Sequence, residues 1–195
     1  MNLDAAQWHA WHGATFPDES WNRDDDEQLC AIVGAPRVDL VSRERYGDFI
    51  LQFEFALPVG GNSGVFYRVD ESAGLAWHSG PEMQLLDDAV HPDGEEPTTR
   101  NGALYGLFAP EQETRIEPGS FMHAALVVRQ GTVEHWLGNR MVLSYRLDDS
   151  ALHTLIESSK FADKPLFAKA PAGHIVLQHH GEAVRFRRLS IEALG

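Results

Sequence analysis

Apolar residues recur at every second position along several segments of this chain, and this period constrains the fold more than any other feature. In the clearest segment the apolar residues are Phe49, Leu51, Phe53, Phe55 and Leu57. Gln52 and Glu54 lie between them. Because successive side chains of a strand point to opposite faces, the segment predicts a strand with one buried face. Pro58 and the following Gly60-Gly61-Asn62 predict a turn at its end.

Further segments of this kind follow at short spacing, with Gly, Pro and Asn between them. The other predicted strands cover residues 38–42, 64–69, 82–86, 103–108, 122–129, 132–137, 140–146, 174–180 and 183–192. This rhythm favours a β-sandwich or barrel over a parallel α/β sheet. Helical signal is confined to residues 150–157, with Ser150 as the N-cap. Residues 88–101 form the longest polar loop, and loops of that length are often functional.

Composition narrows the classes of protein to which the chain can belong. Its 195 residues fit one large domain, expected to span 1–195. The formal net charge of -13 disfavours nucleic acid and anionic lipid as partners. Cys30 is the only cysteine, which excludes an intramolecular disulfide and a cysteine-based zinc site. Since the sequence shows neither a signal peptide nor an apolar run of membrane-spanning length, we expect a cytoplasmic protein without membrane association.

Polar side chains share faces on several predicted strands. Glu82 and Gln84 share one face, while Met83 and Leu85 point the other way. Within 174–180, one face carries His174, Gln178 and His180. On an exposed, curved sheet such side chains would line a groove whose donors and acceptors match sugar hydroxyls.

Two further strands add candidates to this surface. Phe66 and Arg68 share a face of 64–69, and Glu134 and Trp136 share a face of 132–137. His135 instead lies on the face of Val133 and Leu137. A single polar residue on a strand is more often structural than functional. Their coincidence on several strands is what favours a binding surface.

Longer motifs make the chain similar to a known family. They are YGDFILQFEFALPVGGNSGVFYR (46–68), EMQLLDD (82–88), NGALYGLFAP (101–110), VEHWLGNRMVLSY (133–145), SSKF (158–161) and GHIVLQHHGEAVRFRRLSIEAL (173–194). Over roughly residues 8–194 the chain resembles the bacterial 3-keto-disaccharide (3-keto-glycoside) hydrolases. The resemblance implies an all-β fold, a two-sheet antiparallel sandwich of the jelly-roll type seen in concanavalin-type lectins and glucanases.

The resemblance also implies cleavage of a glycoside whose sugar carries a ketone at C3. The ketone acidifies the C2–H bond, so a base can form an enolate that expels the C1 substituent, after which water adds. Such a site needs a base near C2, a donor or cation near the C3 oxygen, and an acid near the leaving oxygen.

The resemblance and the side-chain types together assign roles. For the proton transfers the candidates are Glu82, His135 and His180. Arg68 or a divalent metal would stabilise the enolate, and the sugar would be oriented by Gln84, Asp87, Tyr105 and Gln178. The sequence contains no compact metal motif, and a site assembled from His180 with Glu82 or Asp87 stays open.

Two alternative functions remain compatible with the sequence. Glu82-x-Gln84-x-x-Asp87 has the spacing of a glucanase-type carboxylate pair, although Gln84 cannot ionise as the middle residue of that motif does. A carbohydrate-binding domain without catalysis is the other alternative, since a fold does not determine a function. All of these readings predict a small carbohydrate as the ligand.

Overall fold

Two antiparallel β-sheets pack face to face in the computed structural model of this protein, which describes residues 4–24 and 28–194. The strands are β1 (Trp8–Ala10), β2 (Trp21–Arg23), β3 (Leu29–Ala31), β4 (Leu40–Ser42), β5 (Asp48–Ala56), β6 (Asn62–Val69), β7 (Glu82–Leu86), β8 (Met122–Arg129), β9 (Thr132–Leu137), β10 (Arg140–Arg146), β11 (His174–Leu177) and β12 (Arg185–Leu194). The five-stranded sheet has the order β1-β4-β11-β6-β7, and the seven-stranded sheet has the order β10-β9-β8-β5-β12-β3-β2. The predicted all-β sandwich is confirmed.

The core lies between the two sheets and follows the predicted alternation. Phe49, Leu51 and Phe53 of β5 are buried against Met83 and Leu85 of β7 in one apolar cluster. Burying each large apolar side chain stabilises the fold by roughly 1.5–3 kcal/mol. Because the odd-numbered residues of β7 face this core, its even-numbered residues point away from it.

Helices are short and lie outside the sheets. The α-helix α1 (Ser150–Glu157) has the predicted span, but Asp149 rather than Ser150 is its N-cap. The Asp149 carboxylate accepts the Ala151 N–H at 2.8 Å. Short 3₁₀ helices cover Ala5–Gln7, Ala76–His78, Pro92–Glu95 and Pro97–Thr99. In the part of the chain that the structure describes, no helix combines the length and apolar character needed to cross a lipid bilayer.

Some predicted elements differ in the structure. Residues 103–108 form turns with isolated bridges, since Leu104 pairs with both Met83 and Phe108. The predicted strand 174–180 ends at Leu177, and the chain then passes under the pocket described below. The sequence did not predict the strands β1, β2 and β3. Each has three residues, which is too few to show an alternation of apolar and polar residues.

Candidate functional site

An open cavity of about 230 Å³ lies on the outer face of the five-stranded sheet. It is lined by Asn62, Trp77, Glu82, Gln84, Asp93, Tyr105, Lys160, Gln178 and His180. The strands β6 and β7 and the segment after β11 supply its floor. The 3₁₀ helix Ala76–His78, the loop after β7 and the segment after α1 supply its walls. Residues far apart in sequence therefore meet above one sheet.

Strand register and a glycine shape the floor of this pocket. Gly64 of β6 pairs with Gln84 of β7, and its carbonyl accepts the Gln178 N–H at 3.0 Å. A Cβ atom at Gly64 would lie 2.1 Å from Glu82 Oε1. The missing side chain is therefore what allows the Glu82 carboxyl group to lie across β6.

Amide side chains on the floor carry buried polar atoms that have no hydrogen-bond partner among the described residues. These atoms are Nε2 and Oε1 of Gln84, Oε1 of Gln178 and Oδ1 of Asn62. Leaving a buried polar group unpaired costs about 1–3 kcal/mol. Because such groups normally find partners, these atoms are free to bind water or a polar ligand in the cavity. Sugar hydroxyls both donate and accept, so they suit both ends of an amide.

Glu82 is 8% exposed, and no described residue donates a hydrogen bond to its carboxyl group. Burial, opposed by the charge of Lys160 and reinforced by the nearby Asp39 and Asp93, raises the pKa of Glu82 to about 8. At neutral pH the group is therefore mostly protonated. Once ionised, it is a stronger base than an ordinary carboxylate.

Lys160 brings a cation to the rim of the pocket. Its Nζ lies 4.2 Å from the centroid of the Tyr105 ring and 5.1 Å from that of Trp77. Aromatic faces attract cations, which holds the ammonium group over the site. Burial lowers the pKa of Lys160, while Glu82 and Asp93 raise it. The charges of Lys160, Glu82 and Asp93 thus affect one another's ionisation.

Tyr105 closes another side of the pocket. Its hydroxyl donates to Asp93 Oδ2 at 3.4 Å. Burial raises the pKa of Tyr105 to about 12, and Asp93 and Glu82 act in the same direction. The phenol is therefore a neutral hydrogen-bond donor. Asp93 lies in the long polar loop 88–101.

His180 forms a histidine–carboxylate pair at the edge of the pocket. Its Nδ1 lies 3.1 Å from Glu182 Oε2. Because a carboxylate can only accept a hydrogen bond, the proton of this contact lies on Nδ1. The second ring nitrogen, Nε2, is then available to a ligand.

The structure places His135 elsewhere, which corrects the predicted grouping. His135 on β9 is fully buried in the core, and its Nδ1 donates to the Gly102 carbonyl at 2.9 Å. Burial lowers its pKa to about 4, so the ring is neutral. A side chain enclosed between two sheets cannot reach a sugar in the pocket.

Arg68 and Asp87 also lie away from the pocket. Arg68 stands at an irregularity in the pairing of β6 with β11 and has a positive φ of 50°. Such a bulge redirects the side chain. Its guanidinium group donates to Asp48 Oδ1 at 3.2 Å. Asp87 accepts the Gly60 N–H at 2.8 Å and so stabilises the turn before β6.

Of the predicted residues, the structure therefore brings together Glu82, Gln84, Tyr105, Gln178 and His180. Four lining residues were not predicted: Asn62, Trp77, Asp93 and Lys160. Lys160 lies in the SSKF motif, and Asn62 follows the Gly60-Gly61 turn. Asp93 falls within the polar loop marked by its length, whereas no sequence pattern marked Trp77.

Comparisons with known proteins agree with this architecture. A family model described as a 3-keto-alpha-glucoside-1,2-lyase-like domain matches residues 2–192. A 3-keto-disaccharide hydrolase of Bacteroides thetaiotaomicron is 30% identical over 179 residues. That match covers 80% of this chain and 62% of the relative, so the chain spans less than two thirds of its length.

Solved structures of low sequence identity share the fold. A candidate glycosyl hydrolase of Parabacteroides distasonis superposes with a TM-score of 0.89 at 24% identity, covering 98% of this chain and 90% of that one. The β-glucanase of Bacillus licheniformis has a TM-score of 0.54 at 10% identity, covering 97% and 93%. The carbohydrate-binding module CBM66 of Bacillus subtilis has a TM-score of 0.59 at 14% identity, covering 96% of both chains. At these sequence identities the superpositions show a shared sandwich fold only.

Proposed function

The chain belongs to the 3-keto-alpha-glucoside-1,2-lyase-like family, and from this premise we propose that it cleaves glycosides whose sugar carries a ketone at C3. One observation carries the proposal. The Glu82 carboxyl group has no hydrogen-bond donor among the described residues, and it lies beside amide groups whose buried polar atoms are also unpaired. A sugar ring in the pocket supplies the missing partners and brings an acidic C–H bond to a base.

Glu82 is the proposed base. In its ionised form it takes the proton from C2, and the electron pair of that bond moves to form the enolate at C3. Its raised pKa makes the carboxylate a better proton acceptor than one in water. A base whose pKa lies near the operating pH combines sufficient strength with sufficient ionisation, and a positioned proton transfer accelerates a reaction about 10²–10⁴-fold.

Lys160 and Tyr105 are proposed to stabilise the enolate. The ammonium group supplies a positive charge, and the phenol supplies a neutral donor. Both side chains are already held by their contacts, Lys160 over aromatic rings and Tyr105 against Asp93. Groups that are preorganised in this way favour the charge that develops during the reaction.

His180 is proposed to handle the leaving group. As the C1–O bond breaks, a protonated His180 gives the Nε2 proton to the departing oxygen, while Glu182 accepts from Nδ1 and orients the ring. Water then adds across the resulting C1=C2 bond and yields the 3-keto sugar. Gln84, Gln178 and Asn62 would hold the ring hydroxyls, and Trp77 offers an aromatic face for the C–H side of the ring.

The test compares Glu82→Gln with wild type on 3-keto-trehalose and a 3-keto-glucoside, with products followed by mass spectrometry. We expect the variant to lose at least about a hundredfold in kcat/KM, because the amide cannot accept the C2 proton. Glu157→Gln on the exposed surface of α1 is the control and should retain wild-type turnover. Wild-type turnover by Glu82→Gln would contradict the proposal.

Adding unmodified glucosides and a sugar-binding titration to this assay separates the two alternatives. If the wild-type protein binds sugar but turns over neither keto nor unmodified glycosides, the pocket belongs to a carbohydrate-binding module. Release of reducing sugar from an unoxidised glucoside would indicate a glucanase-like activity. The structure weighs against that activity, because Asp87 does not line the pocket that contains Glu82 and its carboxylate accepts the Gly60 N–H instead.

A further inference from the structure

Two histidines and a glutamate converge at a second place on the five-stranded sheet. His9 on β1, His174 at the start of β11 and Glu71 after β6 bring one ligand atom each to within 4.8 Å of the others. It is the one such group of three or more found among the described residues, and it contains none of the pocket residues. We propose that His9, Glu71 and His174 bind a divalent transition metal, with zinc as the best match.

Distances support a single ion between these side chains. Nε2 of His9 lies 3.6 Å from Glu71 Oε2, and Nε2 of His174 lies 3.8 Å from the same oxygen. Zinc binds imidazole nitrogen and carboxylate oxygen at about 2.0–2.2 Å, which places two tetrahedral ligands roughly 3.3–3.6 Å apart. The three atoms are therefore close to their required separation before any ion is added.

Hydrogen bonds on the far side of each imidazole ring leave the near side free for a metal. Nδ1 of His174 donates to the Ser42 carbonyl at 2.7 Å. Nδ1 of His9 donates to the Gly13 carbonyl at 2.9 Å. Since the Nδ1 protons are used in this way, a neutral ring presents the Nε2 lone pair. A metal-binding histidine is commonly oriented by this type of contact.

Glu71 is oriented by similar means. The backbone N–H of His12 lies 3.4 Å from Glu71 Oε1, which leaves Oε2 facing the histidines. Nε2 of His12 lies 2.8 Å from the Glu71 carbonyl and so holds the turn itself. No described residue donates a hydrogen bond to Oε2, and the two Nε2 atoms beside it lie at 3.6 and 3.8 Å. Three lone-pair-bearing atoms thus face one another without a donor, an arrangement that a cation satisfies.

The location distinguishes this group from the pocket. The strand β1 is at one edge of the five-stranded sheet and β7 is at the other. His174 begins β11, whereas Gln178 follows its end. A metal here would connect β1, β11 and the turn after β6, so it would first of all stabilise the sheet. Three protein ligands also leave a fourth position for water.

The proposal is tested by titrating EDTA-treated protein with Zn²⁺, and with Co²⁺ for its visible ligand-field spectrum. We expect one ion per chain, a tetrahedral Co²⁺ spectrum and a rise in Tm on zinc addition. His174→Ala and the conservative Glu71→Gln should each weaken zinc binding at least about tenfold. Circular dichroism of both variants checks that the sandwich is intact.

Matched controls separate this site from the pocket and from other histidines. His123→Ala on the seven-stranded sheet and Gln84→Ala in the pocket should leave zinc affinity and stoichiometry unchanged. Zinc binding that is equal in wild type, His174→Ala and Glu71→Gln would overturn the proposal, as would binding below one ion per chain at saturation. Both readouts are independent of glycoside cleavage, so this proposal and the proposed function succeed or fail separately.

Discussion

Glu82 shows how one buried ionisable residue links the pocket to the stability of the whole chain. Its carboxyl group is removed from water, and no described residue donates a hydrogen bond to it. The folded state therefore favours the protonated form, which is the physical cause of the pKa of about 8. The same feature that makes the carboxylate a strong base makes its ionisation unfavourable for folding.

Glu82→Gln should be more stable than wild type, by a margin that grows with pH. Below about pH 4 the carboxyl group is protonated in both the folded and the unfolded chain, so its ionisation contributes nothing to the difference. From the ordinary pKa of 4.5 to about 8 the unfolded wild type releases a proton that the folded protein keeps, which lowers its stability as pH rises. Each pKa unit corresponds to about 1.4 kcal/mol, and glutamine does not titrate.

Chemical denaturation of both proteins from pH 4 to pH 9 measures this margin. The difference in unfolding free energy should rise by several kcal/mol across this range and level off above pH 8, following the folded-state pKa. Glu157→Gln, with an exposed side chain, should show no comparable trend. A constant difference between Glu82→Gln and wild type would show that the pKa of Glu82 is not raised.

At the scale of single strands, alternation predicted most of what the structure shows. It placed Met83 and Leu85 on the face opposite Glu82 and Gln84, and in the structure the first pair lies in the core and the second pair lines the pocket. It also placed His135 with Val133 and Leu137, which the burial of His135 confirms. The error lay in assigning His135 a catalytic role against that pattern.

Alternation fails where strand pairing is irregular or where there is no strand. Arg68 shares a predicted face with Phe66, but the irregular pairing of β6 with β11 turns its side chain toward Asp48. Trp77 and Lys160 come from segments without a repeating pattern, and only tertiary packing brings them over the sheet. These residues were beyond local sequence rules because long-range contacts determine their positions.

Gly64→Ala tests how β6 positions the base. The new Cβ would lie 2.1 Å from Glu82 Oε1 and 2.9 Å from its Cδ, so the carboxyl group has to move. Since a displacement of about 1 Å can cost about a hundredfold in rate, we expect a loss of that order in kcat/KM on the 3-keto-glucoside. In Gly74→Ala the added Cβ would meet its nearest neighbour at 3.5 Å, so this control should keep its activity. Equal activity in the two variants would refute the positioning role of Gly64.

At the scale of the whole molecule, a buried polar cluster connects the two sheets. The hydroxyl groups of Tyr67 on β6 and Tyr145 on β10 hydrogen-bond to each other. The Tyr145 hydroxyl also lies 3.4 Å from His135 Nε2, and His135 Nδ1 donates to the Gly102 carbonyl. Both tyrosines have pKa values raised by burial, so they are neutral. The polar atoms of this cluster have hydrogen-bond partners within it. His135 is therefore a structural residue that joins β9 to the loop that contains Gly102.

The last prediction contrasts this cluster with a tyrosine that lacks a partner. Tyr67→Phe removes a hydroxyl group that pairs across the sheets, so we expect a loss of about 1–2 kcal/mol in unfolding free energy. Tyr46→Phe removes a buried hydroxyl that has no hydrogen-bond partner among the described residues, so it should be neutral or slightly stabilising. Both substitutions delete the same atom from a buried ring, which makes Tyr46→Phe a matched control in chemical denaturation. If the two variants lost equal stability, the Tyr67–Tyr145 contact would contribute nothing to holding the sheets together. The cost in Tyr67→Phe would then be the general one of removing a buried oxygen.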